Sequence, residues 1–292
     1  MLRIVRLTGH VFVDAYNRFN ADDGWAIAGH IALSALMALF PFLILVTALA
    51  ATLFGSKELA DEVARLLLET WPKEVAGPIA AEFHNVLTRT GGDVLTIGVA
   101  FTIFFASSGI ESLRIGLNRA YDAVETRNWL LLRLESILYV LIGAAAMLAL
   151  AFLIVLGPLA FATALKFLPH LQSLEWNFTV ARYAIAGFAL ILALVIAHKW
   201  LPAGRRRLRD IMPGILITLM LWLATGVGFG RYLAKFAYTY VTYYAGLASV
   251  MVALVFLYWT ASIFVYGGEL NASIAHLRKG GSEKPPDPSQ PP

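Results

Sequence analysis

Six stretches of this sequence stay apolar for about as long as a helix needs to cross a bilayer, which takes roughly 20 residues. They cover residues 25–54, 94–110, 136–165, 178–200, 211–229 and 245–268. Trp25–Phe54 contains no Asp, Glu, Lys or Arg, and Val94–Ile110 is shorter but equally free of charge. Lipid offers no partner to a backbone N–H or C=O, so a spanning segment must bond its own backbone as a helix or close into a barrel. Barrel strands alternate apolar and polar residues, and none of the six stretches does. The expected fold class is all-α: a polytopic membrane protein with six transmembrane helices plus amphipathic interfacial helices. Composition agrees, with 59% hydrophobic and 14% charged residues, more apolar surface than one soluble core can bury.

Orientation follows from where the basic residues fall, because Lys and Arg accumulate in cytoplasmic loops. With the N-terminus inside, fifteen of the 23 Lys and Arg are cytoplasmic, among them Arg114, Arg119, Arg127, Arg133 and the cluster Arg205, Arg206, Arg207 and Arg209 in a short loop. The predicted location is the bacterial cytoplasmic (inner) membrane, with both termini cytoplasmic. The N-terminus lacks a continuous apolar stretch and a small-residue cleavage site, and reads as mature protein.

The connections are uneven. Residues 57–93 form a long outer loop with apolar residues at helical spacing, broken at Trp71-Pro72; two amphipathic helices fit. Residues 111–135 read similarly, with Leu113, Leu117 and Tyr121 on one face and Arg114 and Asn118 on another. Residues 1–20 read as an interfacial helix. No linker divides the chain, so residues 1–275 are one membrane domain, and residues 276–292, ending GGSEKPPDPSQPP, are a disordered cytoplasmic tail by composition.

A few residues interrupt the apolar pattern, and each has two readings. Pro41, in mid-span, cannot donate to the Met37 carbonyl, so it kinks the helix and leaves an acceptor free; either a neighbour satisfies that carbonyl or the kink lines a substrate path. Pro213 lies in the first turn of span five, where proline costs little. His30 lies just inside span one, either as a neutral histidine bonded to a backbone carbonyl or as a functional intramembrane group. Glu111 and Glu269 each follow a glycine-containing span end. Glu269 sits near a helix C-terminus, where the dipole disfavours an anion, so an arginine from residues 111–135 or 199–209 is expected to compensate it. The two acids are either topology-fixing salt bridges or, with Asn118 and Asn271, the wall of a polar vestibule. Together His30, Pro41, Glu111, Asn118, Glu269 and Asn271 are the candidate polar pathway. Gly226 and Gly230 give one GxxxG spacing, a helix-packing signal. Asp210 is the expected N-cap of span five.

Enzyme chemistry has little to work with. The chain has no cysteine, hence no thiolate nucleophile or Cys-ligated metal. Its six histidines form no HxH or HExxH pair, so a zinc site lacks the usual local ligands. No P-loop or Gly-rich nucleotide motif occurs. No cofactor, metal or catalytic residue is expected, and the RRRLR run reads as topology and anionic lipid rather than nucleic acid.

Three segments carry a family resemblance: GWAIAGHIALSALMALFPFLILVTALA, SSGIESLRIGLNRAYDAVETRNWLLLRLESI and YYAGLASVMVALVFLYWTASIFVYGGELNASI. Across residues 10–275 the chain resembles the YihY/BrkB family of bacterial inner-membrane proteins, most specifically through Ser34 to Pro41, through Gly109, Asn118, Tyr121 and Arg127, and through Tyr244 and Gly268-Glu269-Leu270-Asn271. His30 departs from the aliphatic or tyrosine expected there. The resemblance implies an envelope function, with lipid transport suggested for relatives, and an older label of tRNA-processing ribonuclease (RNase BN) that the missing metal-ligand spacing argues against. The expected function is transport of lipids or another amphiphilic envelope component, with membrane lipids as partners. The alternative is an envelope scaffold that recruits periplasmic proteins through residues 57–93; a ribonuclease ranks last.

Overall fold

The computed structural model describes residues 2–54, 95–167, 175–244 and 247–278. The amphipathic helices expected in residues 57–93 lie outside the described residues. Helix α1 covers Leu2–Ala21, α2 Gly24–Phe54 and α3 Leu95–Ala120. Helix α4, Trp129–Ala151, passes through a π-helical turn at Phe152–Leu156 into α5, Gly157–Phe167. Then come α6, Glu175–Trp200, α7, Leu208–Tyr244, and α8, Ala248–Arg278. No strand occurs among the described residues. Trp129–Ile154, Glu175–Trp200, Leu208–Phe236 and Val250–Arg278 are each long and apolar enough to cross a membrane. Helices α2 and α3, 31 and 26 residues long, supply the other two expected crossings. The chain is an all-α polytopic membrane protein.

Between helices in lipid there is little hydrophobic driving force, so packing and hydrogen bonds hold the bundle. Helix α8 is its centre, touching α7, α2, α1 and α3. One buried cluster joins Phe19, Ile31, Leu117, Leu194, Ile211, Ile215 and Phe264. A second, of Leu45, Val46, Ala106, Val140, Ala144 and Leu148, joins α2, α3 and α4. Helix α6 stands at the edge: only Leu194 and His198 are buried in it, and its apolar remainder suits lipid contact.

The π turn has a local cause. Pro158 has no N–H to give the Ile154 carbonyl four residues back, and α6 makes up the deficit, since Arg182 Nη1 donates to the Ile154 oxygen at 3.1 Å.

Several expected boundaries shift. Residues 111–120 are not a separate amphipathic segment, because α3 runs unbroken to Ala120. Its polar residues find partners inside the protein; Arg114 is buried, with Nη2 donating to the Leu132 carbonyl and to Ser136 Oγ. Asp210 is not an N-cap. Helix α7 starts at Leu208, which places Asp210 in the first turn, where a carboxylate suits the dipole. Pro213 is the sixth residue of α7 rather than a first-turn residue. Helix α8 continues to Arg278, past the expected start of the tail. The close-packing glycines are also different ones: a Cβ on Gly226 or Gly230 would meet nothing within 4 Å, whereas one on Gly214 would strike the Gly267 carbonyl and Asn271.

Candidate functional site

The end of the bundle where α1, α3, α6 and α8 finish and α4 and α7 start is a polar layer, built where these six helix ends meet. Its hub is the turn after α3. Asp122 adopts a positive φ of 51°, a conformation aspartate tolerates at a helix C-terminus, and it turns the chain so that residues 118–128 face their neighbours.

Three groups of contacts radiate from this turn. In the first, Arg18 of α1 donates from Nη2 to Asp122 Oδ2 at 2.5 Å and from Nε to Glu269 Oε2 at 3.4 Å. Glu269 is therefore compensated by a cation, but by Arg18 and not by residues 111–135 or 199–209. The dipole argument also falls away, because α8 extends nine residues beyond Glu269. The carboxylate is fully buried, and its Oε1 has no hydrogen-bond partner among the described residues.

In the second, the Asn271 side chain grips the α7 backbone beside Pro213. Its Oδ1 accepts from Gly214 N–H at 2.7 Å, and its Nδ2 donates to the Ile211 carbonyl and to the Tyr121 hydroxyl, both at 3.0 Å. Tyr121 shares a 2.8 Å hydrogen bond with His198 Nδ1, and the Arg206 guanidinium lies over the Tyr121 ring at 4.1 Å.

In the third, Asn118 donates to Glu125 Oε2 at 3.1 Å and accepts from Ala203 N–H at 2.7 Å. Glu125 receives Arg127 Nε and Nη2, both at 2.8 Å, and Arg127 also reaches Glu135 and the Leu201 carbonyl. The Arg127 hydrogen bonds, helped by Asn118 and opposed by partial burial, hold the Glu125 carboxyl down at about 2, against an ordinary 4.5. A depressed carboxyl pKa adds stability that is complete above about pH 4.5 and lost as pH falls toward about 2. Glu125→Gln is therefore expected to melt earlier than the native chain at neutral pH, with the gap closing as pH drops through that window. A constant gap from pH 7 down to the lower limit would show that the carboxylate charge is not the stabilising element.

Glu111 and His30 lie further along the helices. Glu111 pairs with Arg133, whose Nη2 donates to the Phe104 carbonyl at 2.6 Å and whose guanidinium stacks 3.7 Å from the Phe104 ring. His30 Nε2 lies 3.5 Å from Ser112 Oγ, so its partner is a hydroxyl and not a backbone carbonyl. Pro41 stands apart from the layer, about 16 Å along α2 from His30 at 1.5 Å per residue.

The second feature is apolar. Thr225, Gly228, Phe229, Tyr232, Val255 and Trp259 line an open groove of about 450 Å³ between α7 and α8. Gly228 keeps it clear, since a Cβ there would meet nothing within 4 Å. Sequence reading took the neighbouring Gly226 and Gly230 for a helix contact. It also missed Arg18 and His198, and read Tyr121 only as part of an apolar face and of the family pattern; for His198, a histidine within an apolar span was the available signal. Among the described residues no three His, Asp or Glu are grouped to hold a metal ion.

The family model for virulence factor BrkB matches residues 15–291. The chain belongs to the BrkB family. This BrkB-family chain is 25% identical over 272 residues to the ribonuclease-like protein YfkH of Bacillus subtilis, covering 93% of this chain and 98% of that one. It is 26% identical over 271 residues to a UPF0761 membrane protein of Rhodospirillum centenum, covering 91% of this chain and 57% of that one. Over 133 residues it is 29% identical to the UPF0761 membrane protein YihY of Escherichia coli, 44% of this chain and 46% of that one. No solved structure matches the BrkB-family chain.

Proposed function

We propose that this membrane protein moves lipids or similar amphiphiles between the leaflets of the bacterial inner membrane, with the polar layer and both termini on the cytoplasmic side. The observation that carries the reading is the groove between α7 and α8. It is apolar, open to the side, and large enough for part of a lipid, since small-molecule sites run from roughly 300 to 1,000 Å³. A lipid carrier need supply only a path for the headgroup while the acyl chains stay in the bilayer. The Thr225 hydroxyl, in a largely apolar lining, is suited to such contact.

The name of YfkH raises RNA as a substrate, and we place that behind transport. Several acids are already engaged: Glu111 by Arg133 along the helices and, in the layer, Glu125 by Arg127, Glu135 by Arg127 and Arg114, Asp122 and Glu269 by Arg18, and Asp210 by Arg278. A general base needs a free carboxylate within reach of substrate.

The test uses purified protein in liposomes and a fluorescent phospholipid whose transbilayer distribution is followed by quenching. The native chain should speed equilibration, and Gly228→Leu, which fills the groove where there is space, should slow it at least fivefold without lowering thermal stability. Equal rates for the two proteins would remove the groove from the path. RNA incubated with the same preparation and divalent metal should stay intact.

A further inference from the structure

We propose that the pocket lined by Arg205, Arg207, Arg209, Asp210 and Arg278 binds the phosphate of an anionic lipid headgroup. The pocket measures about 470 Å³, and its walls come from two places far apart in sequence, the turn entering α7 and the last turn of α8. The positive-inside tendency asks only that basic residues lie on one side of the membrane. It does not ask four guanidinium groups to converge on one cavity.

The arginines divide by register. Arg206 is turned inward, stacked on Tyr121 and donating to the Ala203 carbonyl at 2.9 Å. The side chains of Arg205, Arg207 and Arg209, on the exposed side, make no hydrogen bond or ion pair to any described residue. Gly204, with φ at +91°, sets the turn that presents them, a conformation glycine accepts readily. The only carboxylate in the wall, Asp210, is already taken by Arg278 Nη1 at 2.8 Å. Four cations against one anion leave a strong positive excess, and the N-terminus of α7 opens at the same place with a field of the same sign. Guanidinium groups match phosphate oxygens two at a time, which ammonium groups do not.

Phosphate could come from a lipid or from solution. The surroundings favour lipid: Leu208 is 49% exposed and Leu277 43% exposed, and both adjoin the arginines at the span ends, where a glycerol backbone and the first methylenes would lie. The site stands apart from the transport reading, since a bound lipid would anchor these two helix ends whether or not any lipid crosses.

The experiment titrates the purified full-length chain, in uncharged detergent, with phosphatidylglycerol and separately with phosphatidylcholine. Phosphatidylglycerol should bind at least tenfold more tightly. Each basic group beside an anionic surface contributes about a fivefold factor before screening, so Arg205→Gln/Arg207→Gln/Arg209→Gln should weaken phosphatidylglycerol at least tenfold and leave phosphatidylcholine unchanged. Arg278→Gln, which leaves the loop intact and frees Asp210 to repel the ligand, should weaken it several-fold. Arg231→Gln/Lys235→Gln, toward the other end of α7, should change nothing. Native-like affinity in the triple variant or in Arg278→Gln overturns the site. Displacement of the lipid by millimolar inorganic phosphate overturns the lipid assignment. A chain that binds phosphatidylglycerol but moves no lipid leaves the site standing and removes only the transport reading.

Discussion

Gly214→Ala is expected to cost about 3 kcal/mol or more. A Cβ at this position would overlap the Gly267 carbonyl and the Asn271 amide. Overpacking alone costs roughly 1–3 kcal/mol. Here the helices cannot separate without also breaking the Gly214 N–H to Asn271 hydrogen bond, and a buried donor left unmade costs about 1–3 kcal/mol more. Gly226→Ala is the matched control, because nothing lies within 4 Å of its added carbon, and alanine in a helix is favoured over glycine by about 1 kcal/mol. Thermal unfolding followed by the intrinsic fluorescence of the seven tryptophans separates the two. If both variants melt alike, α7 and α8 are not in backbone contact at this point.

Arg18→Leu should be nearly as damaging, for an electrostatic reason. It removes the cation beside Glu269, whose side chain is wholly buried; a stranded buried charge costs up to about 3–5 kcal/mol, and less once the carboxyl takes up a proton. Arg18 is itself about a quarter exposed and keeps Asp122 as a partner, so Glu269→Leu alone should cost less. The double variant Arg18→Leu/Glu269→Leu should recover most of the loss. That recovery distinguishes a stranded charge from lost packing of α1 on α8, since packing losses would add rather than cancel. A double variant less stable than Arg18→Leu would locate the effect in packing.

The crossings were legible because lipid imposes a local rule: about twenty apolar residues in a row announce themselves wherever they occur. A helix-dipole argument also asked for a cation beside Glu269, and one is there, although α8 runs on past Glu269 and removes that ground for it. The identity of that cation was not legible. Arg18 is 251 positions away, and no periodicity in α8 points to α1. The length of α3 was hidden for a related reason. Arg114 and Asn118 look like the start of a wet surface, yet hydrogen bonds to α4 and to the 121–128 turn make them interior residues. The glycines failed differently. A GxxxG spacing records absent side chains, and absence is the same signal whether a partner helix fills the space, as the α8 backbone does at Gly214, or leaves it open, as at Gly228.

The Asn271 clamp sets the mechanics of the α7–α8 pair. Side-chain amide to main chain is a short, stiff linkage, and it sits at one extremity of two long rods. About 21 Å separates Gly214 from Gly228 along α7, from the helical rise. The rods are linked a second time by Trp222 Nε1, which donates to the Thr260 carbonyl at 3.0 Å, so the groove can widen only beyond that link, about 9 Å short of Gly228 along α7. A rotation of about 5° about that link displaces the rod at Gly228 by only about 1 Å, while the hydrogen bonds at Asn271 need not stretch.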